Sequence, residues 1–385
     1  MSMKFLAFLF TLLLFSVFTS NTFGQTVPQY DHVVICILEN HSYSQIHGSS
    51  NAPYINTLVA DQHAATFTES YGLTHPSQPN YIMLFSGENQ GETGDGMPDG
   101  QPFTTCNLGA ELLANNFTFA GYSEDLPSTG FNGETSGLYA RKHSPWVNWM
   151  DAPTNGIPAS LHLSYADFPS DFSQLPTLSF VIPHLENDMH DPVLLPSAIS
   201  NGDAWIENNM DAYIQWAKTN NSLFILTFDE DNYFSFNHIL TVFIGDNLIG
   251  GSYDQNIDHY DVLRTLEDMY GLNYCGNSAT ATSITNCWAH VVTGVPLTEN
   301  KFENALVYPN PAAEKLTIEI AANKTETVKI TITNMFAQVF ASYETEVEAG
   351  INQIVFPVEG FDDGTYFVNI ISSQKNKVKK MIVEN

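Results

Sequence analysis

Val33-Val-Ile-Cys-Ile-Leu38 runs straight into Glu39-Asn40, and Leu223-Phe-Ile-Leu-Thr-Phe228 runs straight into Asp229-Glu230. Continuous apolar runs of this length, without polar alternation, mark strands buried on both faces, as in parallel sheets covered by helices. Leu178-Ser-Phe-Val-Ile182 and Leu240-Thr-Val-Phe-Ile244 read the same way. Between them, residues 203–218 and 259–270 repeat apolar side chains at three- and four-residue steps, with Asp203 placed to cap the first helix. This alternation predicts an α/β fold with a mainly parallel central sheet and helices on both faces. On such sheets functional groups gather at the carboxyl ends of strands, and both acidic pairs fall there. Carboxylates against apolar strand ends are costly to bury unpaired. A shared metal ion is one remedy; capping of a following helix is another.

The first 25 residues carry one Lys before a short apolar core and small residues at Thr22 and Gly24, which reads as a signal peptide rather than a membrane span. No later stretch is long and apolar enough to cross a bilayer, so the mature protein is expected to have no transmembrane span. Residues 26–297 form the expected catalytic body, with 30 acidic residues against four basic ones (Arg141, Lys142, Lys218 and Arg264), a net charge of −26. Such a field repels polyanions, and duplex nucleic acid needs many cationic contacts, so nucleic-acid binding is not expected. Cys275 and Cys287 flank a short polar loop and read as a local disulfide in an exported protein. Cys36 lies in an apolar strand and reads as a buried thiol; Cys106 is left either free or paired with Cys36.

Residues 298–385 change style. Val307-Tyr-Pro-Asn-Pro311 reads as a linker, followed by short alternating strands over 316–320, 328–333, 338–341, 353–356, 366–371 and 378–383. That pattern predicts a small β-sandwich. The Tyr-Pro-Asn-Pro opening, Gly364-Thr-Tyr-Phe-Val368 and Lys377-Val-Lys-Lys380 make this tail resemble the C-terminal sorting domain of the type IX secretion system. The resemblance implies a Gram-negative bacterium of the Bacteroidota type, handling by that machinery, and a final location outside the cell or on the outer-membrane surface.

Candidate chemistry sits in Glu39-Asn-His-Ser-Tyr43, Thr74-His-Pro-Ser-Gln-Pro-Asn80, Tyr139-Ala-Arg-Lys-His143, Asn187-Asp-Met-His-Asp191, Asp229-Glu-Asp-Asn232 with His238, and Asp258-His-Tyr260. Glu39-Asn-His-Ser-Tyr43, then Ser77-Gln-Pro-Asn80 before Phe85-Ser-Gly87, then Asp229-Glu230 with His238, stand in the order of the phosphoesterase family of bacterial phospholipases C and acid phosphatases. That family lies in the alkaline-phosphatase superfamily, and the body is similar to it over most of residues 30–275. The resemblance implies an alkaline-phosphatase-like sheet, a small phosphoester as substrate, and Ser77 as the nucleophile. A serine hydroxyl needs a base or metal to act at neutral pH. Glu39, Asn40, Asp229 and Glu230 are expected to hold one or more divalent ions. Oxygen donors favour Ca²⁺, Mg²⁺ or Mn²⁺, while the wider superfamily often uses Zn²⁺. His190 and His238 are equal candidates for the general acid, with His75 and His259 next. Arg141 and Lys142, beside His143, form a candidate phosphate clamp, and Asn80 and Asp188 complete the expected substrate contacts. Phospholipase members carry Arg where His41 and Tyr81 stand here, which favours a phosphomonoester over a diester. Gly94-Asp-Gly-Met-Pro-Asp-Gly100 reads as a turn-rich loop, since it lacks the spacing and closing Glu of a Ca²⁺ loop.

Overall fold

A computed structural model describes residues 27–191, 195–289 and 305–384, apart from 323, 324, 335, 337, 349 and 373–375. The expected signal peptide lies outside the described residues. The chain divides into two compact units, with the break between Val291 and Val292.

The apolar runs become the centre of an eight-stranded sheet in the first unit. Its strands are β1 (His32–Leu38), β2 (Ala64–Tyr71), β3 (Phe119–Ser123), β4 (His162–Ser164), β5 (Leu178–Ile182), β6 (Ser222–Phe228), β7 (His238–Gly245) and β8 (Gly251–Asp258). They lie in the order β8-β2-β7-β6-β1-β5-β3-β4. β1 runs parallel to both neighbours, with Ile35 level with Phe180 of β5 and Ile225 of β6. β7 runs antiparallel to β6 and to β2. The cause is the connection: residues 229–237 are too few for the helical crossover, about a dozen residues or more, that a parallel return needs. The sheet is therefore mainly parallel, as the sequence predicts.

Alternate residues of β1 feed opposite cores, which is why its whole run is apolar. Val33, Ile35 and Ile37 pack with Tyr81, Ile82 and Phe85 of α3 (Ser77–Ser86), Leu108 and Leu112 of α4 (Leu108–Ala114) and Leu263 and Leu266 of α6 (His259–Tyr270). Val34, Cys36 and Leu38 pack with Ile46 of α1 (Tyr43–Ile46), Ile55 and Leu58 of α2 (Pro53–Val59) and Ile206, Met210 and Ile214 of α5 (Pro196–Ala217). Helices thus cover both faces. α5 starts at Pro196 rather than near residue 203, because Pro is pre-set for a first helical position. Asp203 does not cap its own helix. Its carboxylate accepts the Tyr54 and Ile55 N–H groups at 3.1 and 2.8 Å, which caps α2 across the packing interface.

The expected Cys275–Cys287 disulfide is not formed. Cys275 is bonded to Cys106, 169 positions away, with a Cα–Cα distance of 5.3 Å, while Cys36 and Cys287 are buried free thiols. The two ends of the 275–287 loop are anchored apart. The Cys275 N–H donates to the Glu267 carboxylate at 2.8 Å, whereas the Cys287 carbonyl accepts the Ile249 N–H at 2.8 Å.

In the second unit Leu306–Tyr308, Lys315–Ala322 and Gly350–Pro357 form one antiparallel sheet, and Val339–Val347, Glu326–Asn334, Gly364–Ser372 and Asn376–Val383 another. Leu316, Ile318 and Ile320 of the first share a core with Val328, Ile330, Ile332, Val368 and Ile370 of the second, so the unit is a β-sandwich. Val307 belongs to a strand rather than a linker, since it pairs with Ile318. No helix among the described residues is long and apolar enough to cross a membrane.

Candidate active site

The loops that follow β1, β5 and β6 meet at the carboxyl edge of the sheet. Glu39 and Asp229 follow β1 and β6 directly, and both are buried. Asn40 takes up the left-handed backbone region with φ 56°, and its N–H reaches Asp229 Oδ1 at 3.1 Å while its side-chain amide donates to Glu39 Oε2 at 3.3 Å. Asp188, after β5, accepts the Glu39 N–H on its carbonyl at 2.7 Å and the His190 N–H on its carboxylate at 2.8 Å. Ser77 opens α3, and its Oγ donates to Glu39 Oε2 at 3.0 Å. Tyr81 lies one turn on, on the same helix face, and its hydroxyl donates to Glu39 Oε1. Gly72 is required here: a Cβ would sit 2.7 Å from the Asp229 carbonyl oxygen and 2.8 Å from Asn237 Oδ1.

His143 Nε2 lies 3.2 Å from Glu39 Oε1 and its Nδ1 3.1 Å from Asp188 Oδ2, yet neither Nε2 nor Oδ2 makes an aligned hydrogen bond. Asp229 Oδ2 is likewise buried without a partner. Glu39, His143 and Asp188 each offer an atom within 4.8 Å of the others, a group able to hold a divalent cation. This set shares only Glu39 with the expected ligands; Asp229 is joined to Glu39 through Asn40, and Glu230 accepts a hydrogen bond from Asn80.

The electrostatics of the site are set by its buried carboxylates. Burial, then the charges of Glu39 and Glu230, push the Asp229 carboxyl well above its usual range. Burial and Glu39 push Glu230 up to about 9, and burial pushes Asp188 up to about 7. Burial also drives His143 down to about 4, so it is a neutral donor atom near neutral pH. A divalent cation inverts this local logic by favouring the ionised carboxylates.

The other expected residues take distinct places. His75 bridges Glu230 at 3.0 Å and Asp231 at 3.1 Å. His190 packs beside His143, ring centroids 6.0 Å apart, with Nδ1 3.2 Å from Asp191. His238 is instead stacked against Tyr43 and Tyr71, its Nε2 2.8 Å from the Thr68 carbonyl. His259 is buried and held at 2.7 Å from the Asp229 carbonyl, so it supports the Asp229 backbone. Asn80 accepts the Leu73 and Thr74 N–H groups at 2.9 and 3.1 Å and donates to Glu230 at 3.2 Å, which commits its amide to shaping the turn before Ser77. Arg141 is buried, donating to Asn132 at 2.9 Å, Asn148 at 2.8 Å and Gln101. The expected Arg141–Lys142 clamp therefore divides: the Arg141 nitrogens are occupied by amides. Lys142 holds Asp95 at 2.7 Å. Burial works against its ammonium, but Glu39 and Asp95 outweigh burial and raise its pKa.

The sequence assigns no site role to Asp95 or Asp231, and it marks Tyr81 only as a departure from the phospholipase pattern. Asp95 also accepts the Gln78 N–H at 3.0 Å, inside the loop read as turns alone. Asp231 adjoins the Asp-Glu pair, which is a usable signal. Asp95 has none in the sequence, because its partners lie 17 and 47 positions away.

Residues 50–273 match the Phosphoesterase family, and residues 306–384 match the secretion system C-terminal sorting domain. The phosphatidylinositol-3-phosphatase of Mycobacterium tuberculosis is 44% identical over 266 residues, 69% of this chain and 85% of that protein. An acid phosphatase of Aspergillus fumigatus is 29% identical over 254 residues, 62% of this chain but 54% of that protein, so the chain spans about half the length of this fungal relative. A solved structure of a protein in the alkaline phosphatase superfamily from Vibrio parahaemolyticus is similar with a TM-score of 0.47 at 12% identity, over 87% of this chain and 84% of that one. The tail marks the chain for export of the type IX kind. With a family match that spans more than half its length and includes Ser77, Asp229 and Glu230, the chain belongs to the Phosphoesterase family and is a hydrolase of phosphoric ester bonds.

Proposed function

We propose that the protein is an exported, cation-dependent phosphomonoesterase that works through a phosphoserine on Ser77. The observation that carries this reading is the Ser77 Oγ hydrogen bond to Glu39 at 3.0 Å, made among the buried carboxylates of Glu39, Asp188, Asp229 and Glu230. Glu39, Asn40, Asp229 and Glu230 would hold the cation, with His143 and Asp188 as a second donor group reaching Glu39. A bound divalent ion supplies Lewis acidity and offsets charge on the phosphoryl group.

The chain's own groups account for the rest. Ser77 stands at the amino end of α3, where the helix's partial positive charge favours a phosphate. Glu39 accepts the Ser77 hydroxyl on Oε2 and takes its proton as the oxygen attacks phosphorus, while Tyr81 fixes the other carboxylate oxygen. Lys142, held by Asp95, is the cation left to meet the phosphate once Arg141 is occupied. Attack forms the Ser77–phosphorus bond and breaks the bond to the alcohol oxygen, which takes a proton. His190, partly exposed beside His143, supports the role of acid better than His238, whose Nε2 is engaged. Water then releases phosphate and restores Ser77. The names of the two relatives, both phosphatases, support a monoester, as do His41 and Tyr81 in place of the phospholipase arginines.

Ser77→Ala is expected to lower turnover of p-nitrophenyl phosphate by about 10³-fold or more. Chelation should abolish activity, and adding back a divalent ion should restore it. Wild-type turnover in Ser77→Ala refutes the nucleophile; activity that survives chelation refutes the cation; faster cleavage of phosphatidylcholine than of the monoester refutes the substrate class.

A further inference from the structure

Between β6 and β7 the chain presents Tyr233, Phe234 and Phe236 to water, with 61, 79 and 97% of their surface exposed. Among the described residues of the first unit, no other three aromatic side chains this exposed lie within four positions. The display is built in. The Asp231 carboxylate accepts the N–H groups of Tyr233, Ser235 and Asn237 at 2.7, 2.6 and 3.0 Å. Asn237 in turn accepts the Asp231 N–H at 2.8 Å and donates to the Thr74 carbonyl at 3.0 Å. Tyr233, Phe236 and Asn237 hold positive φ angles of 69°, 57° and 62°. Such backbone is strained for a non-glycine residue and persists where the surroundings over-determine it, commonly at ligand-binding sites.

The loop walls one side of a cleft of about 560 Å³, with Leu73, Thr74 and His75 on the other. Thr74 and His75 belong to the turn that delivers Ser77. Tyr233 stacks on the His75 ring at 4.0 Å, and His75 touches Glu230. The cleft thus joins polar groups of the turn before Ser77 to exposed aromatic side chains, and its volume suits a small organic group. The body's charge of −26 disfavours an alcohol that brings further anionic groups.

We propose that this cleft is the alcohol subsite: Leu73, Tyr233, Phe234 and Phe236 receive the hydrocarbon part of the phosphomonoester's alcohol while its phosphate lies at Ser77. The inference rests on the phosphomonoesterase reading. Phe234→Ser/Phe236→Ser tests it, because both side chains lie largely in solvent and neither belongs to the Ser77 machinery. The measurement is kcat/KM on phenyl phosphate, hexyl phosphate and glycerol 2-phosphate. The expected result is a wild-type preference for the ring-bearing or alkyl ester that falls about tenfold in the variant, with the glycerol ester unchanged. Whether phenyl or hexyl phosphate loses more tells ring from chain. An unchanged preference overturns the subsite, as does an equal loss on all three esters. A loss confined to a long-chain phosphate carried in phosphatidylcholine vesicles, with the soluble preferences intact, overturns it in favour of docking on a lipid surface. If wild type cleaves none of the monoesters, the phosphomonoesterase reading fails. The subsite is then decided by calorimetry on the full chain: binding of phenylphosphonate must exceed that of methylphosphonate and lose that margin in the variant.

Discussion

Replacing Cys106 by Ser opens the cross-link that ties the segment before α4 to the segment after α6. The bridge spans 169 positions, and closing a loop of that size removes about 5 kcal/mol of unfolded-chain entropy at 25 °C. A local Cys275–Cys287 bridge, closing about a dozen residues, would remove about 3 kcal/mol. The first unit holds roughly 260 described residues. At that size 1 kcal/mol moves the melting temperature by about 2 °C, so loss of the long bridge should lower it by ~10 °C. The assay is calorimetric melting, without reductant, of wild type, Cys106→Ser, Cys106→Ser/Cys275→Ser and Cys287→Ala. Cys106→Ser should melt about 10 °C low, the double variant should match it, and Cys287→Ala should lose only the packing of one buried thiol. The reasoning is refuted if Cys287→Ala falls as far as Cys106→Ser, or if a non-reducing digest yields a peptide joining Cys275 to Cys287.

Two further outcomes are expected. Glu267 is buried, accepting the Cys275 N–H at 2.8 Å and the Ser278 hydroxyl at 2.5 Å, and burial raises its carboxyl from 4.5 to about 7. Between those values the folded state binds the extra proton, so this group's contribution falls as pH rises from about 4.5 to 7, by on the order of 3 kcal/mol. Denaturant midpoints for Glu267→Gln should lack that decline; a slope equal to wild type refutes the linkage. Arg141→Met and Lys142→Met should separate stability from activity. The first leaves the buried Asn148 amide, and the more exposed Asn132 and Gln101 amides, without their donor and should cost about 2–4 kcal/mol in denaturant unfolding. The second should melt near wild type but lose about 10- to 100-fold in kcat/KM, the equivalent of one charge-assisted hydrogen bond. Equal losses of stability in the two variants would refute the division of labour.

The central sheet was legible because its strands are long, apolar and buried on both faces, so composition alone betrays β1, β5, β6 and β7. α6 was legible to the residue, since one face is buried and the other wet. β8 was not: it lies at the sheet edge, largely exposed, and Gly251-Ser-Tyr-Asp-Gln-Asn-Ile-Asp258 carries no apolar period. Nor was α3, because every one of its residues is buried and no stripe distinguishes its faces. At the site, the order of Glu39, Ser77 and Asp229 in the sequence already implied a phosphoesterase. Tertiary structure decided which charges remain available: Arg141 and Lys142 are adjacent in sequence, yet one is spent on amides and the other faces Asp95. It also decided which cysteines meet, and it turned Phe234 and Phe236 outward. A sequence records side-chain chemistry and local period. It does not record which partners the chain brings from 40 or 190 positions away, and hydrogen bonding and burial at those partners set what each group can still do.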